Sequence, residues 1–165
     1  MRIITAVILA AAFSASALAG DSEWERGSLK GIKAVGVLID LSSDAGVCGV
    51  NSSILLTDVE LKLRLAGINV LSAEEHKKDA LKPFVYVAAD VMKDRHTKAC
   101  VWHVTVALSQ VVSLHRDQSI TTAASTWDAG MLGIEFPTAE QGVRDAAKNL
   151  VDQFLNAYLS VNPKQ

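Results

Sequence analysis

The chain predicts an α+β domain in two layers, a mostly antiparallel sheet of about four to five strands with two main helices packed on one face. Three observations carry this expectation. From Cys100 onward, Trp102, Val104, Val106, Leu108, Val112 and Leu114 share one face, interrupted only by Gln110, while His103, Thr105, Ser109, Ser113 and His115 share the other. That period of two marks a long antiparallel strand with one wet side. Near the end of the chain, Val143, Ala146, Ala147, Leu150, Val151, Phe154 and Tyr158 recur at helical spacing. Finally, 165 residues, half of them hydrophobic, fit one domain with a sizeable core.

The chain opens with Met1-Arg2, an apolar run Ile3 to Phe13, and Ala17-Leu18-Ala19. This pattern predicts a cleaved secretory signal over 1–19, cut between Ala19 and Gly20, and a periplasmic or secreted product. Asp21 stands where a lipoprotein signal needs cysteine, so no lipid anchor is expected. Residues 20–30 are polar and predict a flexible N-terminal arm, or a segment docked through the Trp24 ring. The single α+β domain is expected over 31–165.

Within it, Ile32 to Leu41 is rich in Val, Ile and Leu and predicts a strand buried on both faces. Ser42 to Asn51 holds Gly46 and Gly49 and predicts a loop carrying Cys48. Ser52 or Ser53 is placed to cap a helix to about Ala66, supported by the i,i+4 pairs Asp58–Lys62 and Glu60–Arg64 and stopped at Gly67. Ile68 to Leu71 predicts a short extended segment, and Ser72-Ala73-Glu74-Glu75 a capping box before Pro83. Phe84 to Met92 alternates as a strand. After the long strand, Arg116-Asp117-Gln118 predicts a hairpin loop and Ser119 to Trp127 a returning strand. Ala129 to Pro137 is expected as a glycine-punctuated apolar loop. Thr138 and Gln141 then match a second capping box opening the last helix.

A formal net charge of −2 with scattered basic residues argues against nucleic acid as a partner, because phosphate recognition needs a concentrated basic face. After the signal, no apolar run reaches spanning length, so no membrane anchor is expected in the mature chain. The two cysteines, Cys48 and Cys100, are expected to pair in an oxidising compartment. Closing that loop would stabilise the fold by about 4 kcal/mol on the chain-entropy model.

Chemical motifs are sparse. His103 and His115 share a strand face but stand roughly 40 Å apart along an extended chain, too far to share a metal. His76 lies among charged residues as a solvated side chain, and His96 in a turn. Asp40, Ser42, Asp44 and Gly46 only approximate a calcium loop, so a solvated turn is expected there. There is no G-x-S-x-G and no phosphate loop. Asp90, within the alternation Tyr86, Ala88, Asp90, is expected to be buried or to protect an edge. No catalytic residue, metal or cofactor is therefore expected. Met131, Leu132, Ile134 and Phe136 are the candidate partner-contact residues, because four large apolar groups here have few local partners. Covering one end of the sheet, or a further edge strand, is the alternative for them.

Ile54 to Val70, with Asp58-Val59-Glu60, Leu63-Arg64 and Ala66-Gly67-Ile68-Asn69-Val70, resembles the first helix and following strand of small bacterial envelope modules. Such modules occur at the amino terminus of the Tol-system propeller protein and in the curli-secretion lipoprotein. Phe84 to Trp127 is similar to their antiparallel strands. The resemblance implies the fold and transfers no functional residue; neither a propeller nor a lipid-bearing cysteine is expected here. The expected function is an exported protein-binding or envelope-assembly module without catalysis, whose partner is an unidentified envelope or secreted protein. The alternatives are a small secreted hydrolase with a dispersed site joining His103 to a carboxylate and a hydroxyl, or a secreted inhibitor or stress factor.

Overall fold

A computed structural model describes residues 22–78 and 81–163. The expected export signal over 1–19 and its expected cleavage point lie outside these residues. The described chain forms an α+β fold with a mixed five-stranded sheet, spatial order β2-β1-β3-β4-β5. The strands are β1 (Ala34–Leu41), β2 (Asn69–Val70), β3 (Phe84–Lys93), β4 (Cys100–Leu114) and β5 (Asp117–Glu135). The helices are α1 (Glu23–Ser28), α2 (Ser52–Leu65), α3 (Ala73–Lys78) and α4 (Glu140–Val161). β1 runs parallel to β2 and β3, while the longer β3–β4 and β4–β5 pairings are antiparallel.

The core lies between one sheet face and the helix pair α2 and α4. Val35, Val85, Val87, Val104, Val106, Leu108 and Trp127 point into it from the strands. Leu55, Val59 and Leu63 enter from α2, and Val143, Leu150, Val151 and Phe154 from α4. Trp127 and Phe154 meet edge-on at 5.3 Å, a favoured aromatic geometry.

Several local expectations are corrected. β1 is buried on both faces only at its start, where His76 of α3 lies over Gly36; beyond it Leu38 and Asp40 on that face are exposed. The cap of α2 is Asn51, whose Oδ1 accepts from Ser53 N at 2.8 Å and Ile54 N at 3.4 Å. Of the two ion pairs expected along α2, Glu60–Arg64 forms at 2.8 Å. The other gives way to tertiary partners: Lys62 reaches Asp152 at 2.6 Å, and Asp58 accepts from Arg144 Nε at 2.9 Å. The capping box at Ser72 and Glu75 does form.

The segment after Trp127 is strand rather than loop, since β5 continues without a break to Glu135 beside the whole body of β4. Consequently α4 has no capping box. Its cap residue Ala139 offers no side-chain bond, and the Glu135 carboxylate accepts from Gly142 N at 3.1 Å instead. Gly142 leaves room for that carboxylate, which a Cβ at 142 would displace.

Segment 22–30 contains α1, fixed by reciprocal Ser22–Glu25 capping bonds. It packs through the fully buried Leu29 and not through Trp24, which stands in solvent.

Candidate interaction surface

Two ends of the chain's middle section meet at the sheet end formed by the β3–β4 turn and the close of β5. Cys48, in a single 3-10 turn (Gly46–Cys48), is bonded to Cys100 at the start of β4, with Cα atoms 6.0 Å apart. The parallel pairing of β1 with β3 explains the proximity: the loop leaving β1 and the strand answering β3 arrive at one edge. Cys48 O also accepts from Ala139 N at 2.9 Å, so the bridge holds the entry to α4 as well. Lys93 Nζ donates to Pro137 O and to Cys100 Sγ, closing the same corner.

The four candidate contact residues divide between the two sides of β5. Met131 shares the helix-side parity of Trp127 and Ala129, both buried. Leu132 and Ile134 point to the uncovered face, and Phe136 follows just past the strand. They are 73%, 60% and 62% exposed. The register extends the patch across the sheet: Ile134 pairs with Val101, and Val101 with Met92, itself 59% exposed. Met92 and Val101 carried no distinguishing signal in sequence, because their strand-face neighbours are set by pairing between distant segments. Gly133 between Leu132 and Ile134 serves the opposite face, where the Trp102 indole occupies the space a Cβ would need.

Beside this patch lies a depression of about 190 Å³ lined by Ser42, Asp90, Met92, Val101, His103 and Leu132. It brings a hydroxyl, a carboxylate and an imidazole together, as the hydrolase alternative demands. The hydroxyl is engaged, however. Ser42 Oγ donates to Val91 O at 2.9 Å and accepts from Val91 N at 2.7 Å, continuing the β1–β3 pairing through a side chain. Among the described residues no hydrogen bond joins His103 to Ser42 or Asp90. Asp90 is neither buried nor at an edge: β3 is central and its side chain is exposed on the open face, opposite His103.

The other polar candidates have structural partners. Asp44 accepts from Lys93 N at 3.2 Å. His76 is half-buried and packed: its ring lies over Gly36, meets Phe84 edge-on at 5.7 Å, and places Nε2 3.1 Å from Lys82 O. A second cavity, of about 320 Å³, opens beside β1 beyond its short pairing with β2, between Leu38, Leu56, Leu71, His76 and Phe84. His103 lies on β4 and His115 in the turn beyond its far end, and among the described residues no three metal-ligating side chains cluster. No helix of the described residues is long and apolar enough to cross a membrane.

No family model and no curated protein matches this chain. Among solved structures it is similar to a single-substitution variant of the PelC dodecamer from Paraburkholderia phytofirmans, at 19% identity over 78% of this chain and 89% of that one, with a TM-score of 0.44. It is also similar to a second crystal form of the PelC dodecamer, at 21% identity over 77% and 88%, with a TM-score of 0.42. Likeness at this level assigns no function.

Proposed function

We propose that this chain is an exported, non-catalytic protein-binding or envelope-assembly module that meets its partner on the uncovered face of the sheet. The observation that carries the proposal is the apolar row Met92, Val101 and Ile134, continued by Leu132 and Phe136, on the part of the sheet face that α3 leaves open among the described residues. Exposed apolar side chains that adjoin across three strands form a patch of the kind that marks interaction sites. The disulfide fits an oxidising compartment. The resemblance to small bacterial envelope modules belongs to the same proposal. The hydrolase alternative is weaker, because the hydroxyl beside His103 is held on both sides by Val91.

The test is a photoreactive residue placed at Leu132 or Phe136 in the exported protein, compared with one at Leu61 on the helix side. A discrete adduct from the first two positions only, lost in L132S/I134S, is the expected result. Equal labelling from Leu61, or no adduct from the sheet face, overturns the proposal.

A further inference from the structure

On the open sheet face the strands' own charged side chains are of one sign; the Lys77 of α3 lies at the far end, beside Gly36 and Leu38. Strand alternation places Asp40, Asp90 and Asp128 on it, from β1, β3 and β5 respectively. Along 34–41, 84–93, 100–109 and 127–135 no lysine or arginine shares that face, since Lys93 points to the helix side with Val91. Asp40 accepts from Tyr86 Oη at 2.6 Å. Asp90 and Asp128 are exposed and make no hydrogen bond or ion pair among the described residues. The resulting field is felt by Tyr86. Its hydroxyl is pushed above the usual tyrosine range by the bond to Asp40, by burial, and by the charges of Asp40 and Asp90.

Between these carboxylates Ala88, Thr105 and Ala107 keep the middle of the floor low, while the His103 ring lies over Gly130 and Tyr86 reaches to Asp40. Asp40, Ala88, Thr105 and Gly130 form one row across the sheet, and Leu38, Tyr86, Ala107 and Asp128 the next. Four strands at about 4.8 Å spacing give a bed roughly 14 Å wide, enough for one helix of about 10 Å diameter. The backbone of β3 and β4 is already paired on both sides, so an occupant of this face must satisfy its own backbone, as a helix does. A second copy stacked face to face would set three carboxylates against three. An anionic lipid surface would be repelled in the same way.

We infer that the partner offers a cationic amphipathic helix, which lies along this trough with its apolar stripe on Met92, Val101, Leu132 and Ile134 and its Lys or Arg side chains on Asp90 and Asp128. This rests on the protein-binding reading above and adds the partner's chemistry to it. The turn beyond Met92 carries Arg95 and Lys98, which directs the helix's cationic flank away from that end.

The experiment titrates the full mature chain with a synthetic Leu/Lys amphipathic helix about 18 residues long and with its Leu/Glu counterpart, in low and high salt. The expected result is saturable binding of the Leu/Lys helix only, weakened about fivefold in D90N/D128N. The helix-side control D145N/D152N should stay within about twofold of wild type. Equal weakening in the control, equal binding of the Leu/Glu helix, or no saturable binding overturns the inference. So does a concentration-dependent dimer in sedimentation, or co-sedimentation with phosphatidylglycerol vesicles, that L132S/I134S abolishes. The two readings fail separately: a Leu132 adduct indifferent to D90N/D128N removes the cationic helix alone, whereas loss of every sheet-face adduct removes both.

Discussion

Gly133 shows how one missing side chain lets two faces of an edge strand do different work. Its pairing partner Trp102 is buried, and the indole lies where a Cβ at 133 would stand, while Leu132 and Ile134 on either side face solvent. G133A should therefore cost about 1–3 kcal/mol by overpacking, read as a lower urea midpoint with an unchanged slope. Replacing the exposed neighbours acts differently: L132S/I134S should keep stability within about 0.5 kcal/mol of wild type while removing the sheet-face adduct. Neither outcome follows from composition at these positions. Glycine in an apolar run signals loop and strand equally well, and the ring of Trp102 arrives from a segment some thirty residues earlier in the chain.

At the scale of elements, the contact between α2 and α4 is held by Asp58. It accepts from Arg144 at 2.9 and 3.4 Å and lies 3.4 Å from Lys148. The Arg144 hydrogen bonds hold its carboxyl below the usual aspartate range, opposed by partial burial and aided by Lys148. A depressed native value means stability that is present above the unfolded pKa of about 4 and lost as pH falls through the native one. D58N should cost about 1–2 kcal/mol near neutrality, and its melting temperature should converge with wild type as the pH drops below about 4. The helical stripe of α4 was legible in its sequence, because its packing depends on local spacing. The pairing of Asp58 was not: its i,i+4 lysine was in reach, but α4 offered a guanidinium with better geometry. The start of α4 likewise depended on Glu135 arriving from β5.

For the whole molecule, the Cys48–Cys100 bridge ties the loop after β1 to β4, and through Ala139 to the entry of α4. Reduction, or C48A/C100A, should lower stability by about 2–5 kcal/mol. A urea series with and without reductant checks this, alongside a non-reducing peptide map showing the two cysteines joined. By itself, the sequence determined the α+β class, the long amphipathic strand, the stripe of the last helix and the expected cysteine pair. Each of these follows from residue periodicity, or from a count of two thiols on a chain with an export pattern. The tertiary structure alone decided that β5 runs unbroken to Glu135, that Ser42 is held by Val91, and that Met92 and Val101 join Leu132 and Ile134. It also gathered Asp40, Asp90 and Asp128 on one uncovered face. The physical reason is register: side-chain alternation says which residues share a face of one strand, but only pairing between distant strands says which of those residues become neighbours.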